Sequence, residues 1–163
     1  MSIILLLYLF VLSNANYVYN HVIKTNIASK SKLFDLMREK RYFDLYLNEV
    51  NANNIIFNPP INDRFLNNNQ IIEYNCKPKL TNYPIKLPKM NIQQIWKVKN
   101  NKFEGNIITS LMDIMLEIDF LKKDNIEIHL KGTIQKKSFF VPNIALKYAI
   151  LDYENICKKI LKL

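Results

Sequence analysis

FFVPNIALKYAILDYENICKKILKL, residues 139–163, is the stretch that decides the fold. Its apolar residues recur at spacings of three and four, which places them on one side of an α-helix. They are Leu146, Ala149, Ile150, Tyr153, Ile156, Cys157, Ile160 and Leu161. Pro142 occupies a first-turn position, where the missing N–H costs nothing. A helix of about twenty residues is about 30 Å long, so we expect it to pack on a surface of similar length.

The preceding part of the chain contains segments in which apolar and polar residues alternate. Such alternation places every second side chain on the same face of a sheet. It predicts strands at residues 17–27, 55–57, 70–77, 91–99, 102–109, 113–121 and 126–134. We therefore expect an antiparallel meander of about six or seven strands.

Two short helical segments follow the first predicted strand, with a break near Lys40. Ser29 is a candidate N-cap, because its hydroxyl can accept a hydrogen bond from a first-turn N–H. Since the strands are grouped apart from the helices, the pattern predicts an α+β domain. We expect a curved antiparallel sheet to grip the C-terminal helix. The length of 163 residues fits a single domain, which we place at residues 16–163.

Residues 3–12, IILLLYLFVL, form an unbroken apolar run. The run is too short to cross a bilayer, and a small-residue pattern ends at Ala15, so we predict a signal peptide at residues 1–15. No Lys or Arg precedes the run, and a buried first strand or a short membrane anchor are the alternatives. The predicted localisation is the secretory pathway. A plastid-like organelle that is reached through this pathway is a further possible destination, because residues 16–34 carry lysines and no acidic residue.

The formal net charge of +9 raises the question of an anionic partner. The lysines are scattered in pairs, and the chain has no RNP-like motif, zinc-finger spacing or Arg-rich helix. We therefore favour a solvated basic surface and predict no nucleic-acid partner. An anionic membrane surface stays open as a partner, and we expect a monomer.

Cys76 lies in a predicted strand and Cys157 on the apolar helix face. We favour buried free thiols, although one disulfide between them stays open. The two histidines, His21 and His129, lie far apart without a nearby cysteine, so no metal site is predicted. The chain has two glycines, which argues against a loop that cradles phosphates. No cofactor is predicted.

The order of these elements resembles the START-like superfamily, also called the helix-grip or polyketide cyclase/lipid-transport fold. Residues 17–27, followed by ASKSKLFDLM at residues 28–37, are similar to its first strand, turn and first helix. Residues 139–163 are similar to its closing helix, and Trp96 lies where its central strands run. The aromatic-proline-x-tryptophan feature that often follows the second short helix is missing here, and residues 42–47 stand in its place.

The resemblance implies that a hydrophobic small molecule, such as a lipid, sterol or quinone-like compound, is held between sheet and helix. Aromatic side chains on the predicted inner faces, together with the apolar helix face, are candidate ligand contacts. They are Tyr74, Trp96, Phe103, Phe120, Leu146, Ile150 and Tyr153. A filled core would give the same pattern.

The resemblance also admits a cyclase/aromatase-type enzyme, which would need an ionisable group in the pocket. His21 shares a strand face with Tyr19 and is the one weak catalytic candidate, although we prefer a rim histidine bonded to a neighbour. His129, Glu117 and Asp119 are expected to face solvent. We therefore favour a binding or transport protein over an enzyme. A secreted basic interaction protein with a filled core is the third interpretation.

Overall fold

The computed structural model of the chain describes residues 16–77, 88–122, 124–137 and 143–162. Within these ranges the chain forms seven strands and three helices. The strands are β1 (Tyr17–Lys24), β2 (Asn53–Asn58), β3 (Gln70–Cys76), β4 (Met90–Lys99), β5 (Lys102–Ile108), β6 (Met112–Lys122) and β7 (Ile126–Lys136). The helices are α1 (Lys30–Arg38), α2 (Lys40–Glu49) and α3 (Asn143–Leu161).

All the described strands belong to one curved sheet with the order β1-β7-β6-β5-β4-β3-β2. Every neighbouring pair is antiparallel. Strands β2 to β7 follow one another as a meander, and β1 joins beside β7, where Tyr17 pairs with Ile134. The predicted α+β architecture, with two short helices after the first strand, is confirmed.

Helix α3 packs its apolar side toward the sheet. Leu146 and Cys157 are fully buried, and Ile150, Tyr153 and Ile160 pack against the same core. Ala149 is exposed, although the helical spacing groups it with them. No helix within the described ranges is both long enough and apolar enough to cross a membrane.

The two short helices cover another part of the inner sheet face. Ser29 caps α1 as predicted, because the backbone N–H of Lys32 donates to its hydroxyl at 3.3 Å. The break between α1 and α2 lies at Glu39, whose backbone is extended. Phe34 of α1 packs on the sheet with its ring centroid 5.0 Å from that of Phe103.

Strand β1 ends at Lys24, before the predicted end at residue 27. The reason is Thr25, whose hydroxyl donates to the carbonyl oxygen of Ile126 at 2.7 Å. The same hydroxyl accepts a hydrogen bond from the backbone N–H of Ile27 at 3.1 Å. This local turn leads the chain out of the sheet and toward α1.

Asparagine fills backbone positions that glycine commonly fills. The φ angle is positive at Asn51, Asn54, Asn69, Asn100 and Asn101. Asparagine tolerates this left-handed region better than most residues, and the chain has two glycines in total. Asn100 and Asn101 form the predicted turn between β4 and β5, where two left-handed residues match the strand twist.

The two glycines lie where a side chain would clash. A Cβ on Gly132 would meet the backbone oxygen of Met115 and would lie 2.8 Å from the Tyr19 hydroxyl. A Cβ on Gly105 would lie 2.7 Å from the ring of Trp96. Each glycine therefore makes room for an aromatic side chain that crosses the inner face of the sheet.

The outer face of the sheet is mostly polar. Lys102 Nζ lies 2.9 Å from Asp119 and 3.4 Å from Glu117. Glu117 is 46% exposed and faces solvent as predicted, whereas the Asp119 side chain is only 15% exposed, so the prediction that it faces solvent is wrong. The prediction that His129 faces solvent is wrong, because its side chain is only 14% exposed. Its Nε2 atom lies 3.1 Å from a carboxylate oxygen of Glu127, which is itself buried and shields the ring.

Two predictions lie outside the described residues. They are the signal peptide at residues 1–15 and the first-turn position of Pro142.

Candidate functional site

A cavity of about 220 Å³ lies between the inner face of the sheet and the helices. Its wall is mostly apolar and comes from six strands and all three helices. The lining residues are Tyr19, Met37, Tyr42, Phe43, Tyr46, Tyr74, Met90, Ile92, Gln94, Trp96, Phe103, Ile107, Thr109, Met112, Ile114, Leu116, Ile118, Leu130, Ile134, Leu146, Ala149, Ile150 and Tyr153.

The repeat of two residues in a strand and of about 3.6 residues in a helix brings these side chains to the cavity. On β4, Ile92, Gln94 and Trp96 share the inner face because they are two residues apart. On α3, Leu146, Ile150 and Tyr153 share one side because they are four and three residues apart. The cavity therefore follows directly from the closing of the helix over the sheet.

The structure brings together all but one of the predicted ligand contacts. Tyr74, Trp96, Phe103, Leu146, Ile150 and Tyr153 line the cavity. Their role in binding stays a prediction.

Phe120 is the exception, since it is fully buried and does not line the cavity. Its ring centroid lies 6.0 Å from that of Phe34 and 6.1 Å from that of Phe103. The prediction that Phe120 contacts the ligand is therefore wrong as to its position, because α1 packs over this part of the inner face.

His21 also lies outside the cavity lining. Its Nε2 atom lies 2.5 Å from one carboxylate oxygen of Glu154 on α3, and Lys158 Nζ lies 2.5 Å from the other. Burial opposes ionisation of Glu154, but the hydrogen bonds from Lys158 and His21 hold its pKa below the usual value. His21 is thus a rim histidine that fastens the helix to β1.

The sequence analysis missed a buried polar chain in the cavity wall. The Trp96 indole N–H donates to the amide oxygen of Gln94 at 2.8 Å. The amide N–H of Gln94 donates to the hydroxyl of Tyr74 at 2.7 Å. Burial, and after it the neighbouring Tyr46 of α2, raise the pKa of Tyr74 well above its usual value. Gln94 was the residue that could have indicated this network in the sequence. It lies between Ile92 and Trp96 on a predicted inner face, where a buried amide needs hydrogen-bond partners.

A second polar cluster lies where α2 meets α3. The hydroxyl of Tyr42 lies 3.0 Å from the sulfur of Cys157, and Tyr153 hydrogen-bonds to both. Burial raises the pKa of Cys157 to about 11 and that of Tyr46 to about 12. Burial also raises the pKa of Tyr42 and of Tyr153 well above the usual value. These groups therefore keep their protons near neutral pH.

Cys76 and Cys157 are both free and buried, as predicted.

The chemistry of the lining is neutral. Of the residues that the structure describes, no Asp, Glu, Lys, Arg or His lines the cavity. In the same ranges no three His, Cys, Asp or Glu side chains are grouped to hold a metal ion. The arrangement can surround an apolar molecule and hydrogen-bond to it through hydroxyl groups.

Comparison with known proteins gives structural matches at low sequence identity. No family model matches the chain, and no curated protein matches it in sequence. The crystal structure of Ara h 8.0201 matches with a TM-score of 0.63 and 9% identity, over 90% of this chain and 95% of that one. Norcoclaurine synthase from Thalictrum flavum matches with a TM-score of 0.57 and 13% identity, over 92% and 88% of the two chains. Ginseng major latex-like protein 151 from Panax ginseng matches with a TM-score of 0.53 and 9% identity, over 90% and 94%.

At such identities the likeness concerns the fold. The matched structures align with nearly the whole chain, over 90% and 92% of its residues. The fold expected from the order of the elements is confirmed: the chain has the helix-grip fold.

Proposed function

We propose that the protein binds a hydrophobic small molecule in the cavity between the sheet and α3, and carries it without chemical conversion. The observation that supports this most is the cavity itself, an apolar space of about 220 Å³ under the closing helix. Protein interiors are normally packed as densely as organic crystals, so a space of this size is a departure from an ordinary core. It speaks against the filled-core interaction protein.

The volume sets the size of the ligand. An apolar cavity of about 150 Å³ can hold benzene. The cavity here is larger, at about 220 Å³, so a molecule of one or two rings or a short branched chain fits best. A complete sterol would need the wall to move.

The neutral lining favours binding over a cyclase-type reaction. General acid–base catalysis needs an ionisable group within reach of the reacting atoms. The described lining holds hydroxyl groups and one amide, and burial raises the pKa of the cavity tyrosines. Norcoclaurine synthase is named as an enzyme and has the same fold, so the fold itself permits chemistry. We therefore rank transport first.

Ala149 offers a direct test, because it is exposed on α3 and also lines the cavity. The probe is 2-isopropenylnaphthalene, a two-ring hydrocarbon without a polar atom. We expect the protein to bind it in calorimetry, and Ala149→Trp to abolish binding by filling the space. Asn155→Trp is the matched control, since Asn155 is exposed on the same helix and does not line the cavity.

Native mass spectrometry and solvent extraction of the purified protein complete the test. We expect an apolar molecule to co-purify with the unmodified chain and not with Ala149→Trp. Absence of both a co-purified molecule and probe binding would contradict the proposal.

We also propose that the protein works in the secretory pathway, where exchange of an apolar ligand at an anionic membrane surface would suit its net charge of +9. The support is the apolar run of residues 3–12 and the small-residue pattern that follows it. Sequencing of the N-terminus of the protein recovered from its native source tests this. We expect it to begin at Asn16, and a protein that retains Met1 would contradict the assignment.

A further inference from the structure

The hydrogen bonds along the cavity wall have a fixed direction. The indole N–H of Trp96 can only donate, so the group that it contacts on Gln94, at 2.8 Å, must be the amide oxygen. The amide NH₂ of Gln94 consequently points the other way and donates to the Tyr74 hydroxyl at 2.7 Å. The amide of Gln94 is 2% exposed, so water does not compete for these bonds.

This direction determines what the Tyr46–Tyr74 pair can do next. Tyr46 and Tyr74 each carry one hydroxyl proton, and a single proton suffices to bridge their two oxygens. If Tyr74 donates to Tyr46, the proton of Tyr46 is left over, and if Tyr46 donates, the proton of Tyr74 is left over. The oxygen of Gln94 accepts from Trp96, so among the described hydrogen bonds one hydroxyl proton of the pair has no protein acceptor. Both side chains line the cavity, where a bound molecule can supply that acceptor.

The four other cavity hydroxyls already have partners. Tyr42 lies 3.0 Å from the sulfur of Cys157, and Tyr153 belongs to the same cluster. Tyr19 donates to the backbone oxygen of Met115 at 3.4 Å, and Thr109 donates to that of Met112 at 2.9 Å. The Tyr46–Tyr74 pair therefore supplies the hydroxyl proton of the cavity wall that a ligand can accept. An unsatisfied buried donor costs free energy, and a ligand that supplies the acceptor recovers it.

We propose that the cavity selects apolar molecules that carry a carbonyl oxygen, and that the Tyr46–Tyr74 pair recognises this oxygen. This inference rests on the proposed binding function and names its ligand class. A carbonyl group adds an acceptor to a site with a surplus donor. A hydroxyl group would bring a further proton that needs its own acceptor, and a hydrocarbon would leave the donor unpaired.

The test compares two probes of nearly the same shape. In 2-acetylnaphthalene a carbonyl oxygen replaces the terminal CH₂ group of 2-isopropenylnaphthalene. We expect the full chain to bind the ketone about two- to tenfold more tightly than the hydrocarbon, as one net hydrogen bond would give. The infrared C=O stretching band of the bound ketone should lie at a lower frequency than in hexane.

The variant Tyr46→Phe/Tyr74→Phe should reduce the preference for the ketone and move the C=O band toward its position in hexane. The NH₂ group of Gln94 loses its Tyr74 acceptor in this variant, so a small residual shift is expected. Retained binding of the hydrocarbon shows that this variant is folded. Tyr17→Phe removes a hydroxyl outside the cavity lining and should leave the preference unchanged.

The outcomes separate the two proposals. If the unmodified protein binds both probes equally, or the C=O band does not shift, the carbonyl inference is overturned while the binding function stands. A preference that is as large in the double variant as in the unmodified protein also overturns it. If neither probe binds, the proposed function fails, and this inference fails with it. If the double variant does not fold, the unmodified protein and Tyr46→Phe are compared instead. Tyr74 keeps its hydroxyl proton in Tyr46→Phe, so the band shift should persist there, and its absence from either protein would overturn the inference.

Discussion

The imidazole Nε2 atom of His21 lies 2.5 Å from the carboxylate of Glu154, and this contact joins β1 to α3. The two residues are 133 positions apart in the chain. On the opposite side, Lys159 of α3 pairs with Glu49 of α2 at 2.7 Å. Helix α3 is therefore tied at both flanks of the cavity that it closes.

We expect Glu154→Gln to lower the free energy of unfolding by about 1 kcal/mol near neutral pH. The pKa of Glu154 in the folded protein is lowered from 4.5, so its ionised form stabilises the fold above that pH. This contribution is lost as the pH falls through the folded-state pKa. The stability difference between the two proteins should therefore shrink in acid, which urea unfolding at about pH 6 and about pH 3 can measure.

Glu49→Gln is the matched control, because its partner Lys159 is 67% exposed. Exposed ion pairs typically contribute about 0.2–1 kcal/mol, and many contribute nothing measurable, so we expect a smaller loss of stability for Glu49→Gln. An equal loss in both variants, or a Glu154→Gln effect that does not depend on pH, would contradict the anchoring role.

We expect Gly132→Ala to destabilise the protein by about 1–3 kcal/mol, as overpacking usually does. The added Cβ meets backbone, namely the Met115 carbonyl oxygen, and backbone in mid-sheet cannot move aside. Gly105→Ala should cost less, since its Cβ meets the side chain of Trp96, which can shift. Thermal unfolding of both variants checks this order, and the reverse order would refute it.

Phe103 and Phe120 form a matched pair for testing the cavity boundary. Both are buried, but Phe103 lines the cavity and Phe120 does not. Leucine at either position should lower stability by about 1–2 kcal/mol. We expect Phe103→Leu alone to weaken binding of 2-isopropenylnaphthalene, by about threefold or more, because it removes wall contacts. Weaker binding by Phe120→Leu would mean that the ligand reaches beyond the observed cavity.

The two thiols should be unreactive in the folded protein. Burial raises the pKa of Cys157 to about 11 and also raises the pKa of Cys76. At pH 8 a thiol with that pKa is ionised in about one molecule in a thousand. We expect Ellman's reagent to react about a hundredfold or more slowly with the native protein than with the protein in denaturant. Rapid reaction of the native protein, or an intact mass showing a disulfide, would contradict this.

The sequence predicted the inner faces of the strands well, because alternation is a local property. Tyr74, Trp96 and Phe103 each follow it, and all three reach the cavity. The same rule on α3 placed Leu146 and Tyr153. These positions depend only on the period of the element to which they belong.

The wrong predictions concern which neighbouring residues cover a given face of the sheet. Phe120 points inward as its strand pattern predicts, yet Phe34 from another element packs near it and it does not reach the cavity. His129 points outward, yet Glu127 shields it from solvent. Periodicity assigns a side chain to a face, while its burial depends on residues that are distant in sequence.

The network around Gln94 shows a third limit. Its burial was open to prediction, because Gln94 alternates with Ile92 and Trp96. Tyr46, the neighbour of Tyr74, lies on a helix, and nothing in the spacing of the two tyrosines indicates that they are close. Neighbours of this kind become visible only when the helix and the sheet have been assembled.

The pairing of Tyr17 with Ile134 has a consequence for biosynthesis. Of the described strands, β1 leaves the ribosome first, but its neighbour among them is β7, at residues 127–134. The meander from β2 to β7 can form as it is translated, since each strand pairs with the one before it. Until Ile134 has been synthesised, residues 17–24 expose an unpaired backbone to other nascent chains. Among the described strands, the one that is translated earliest is thus the last to join the sheet.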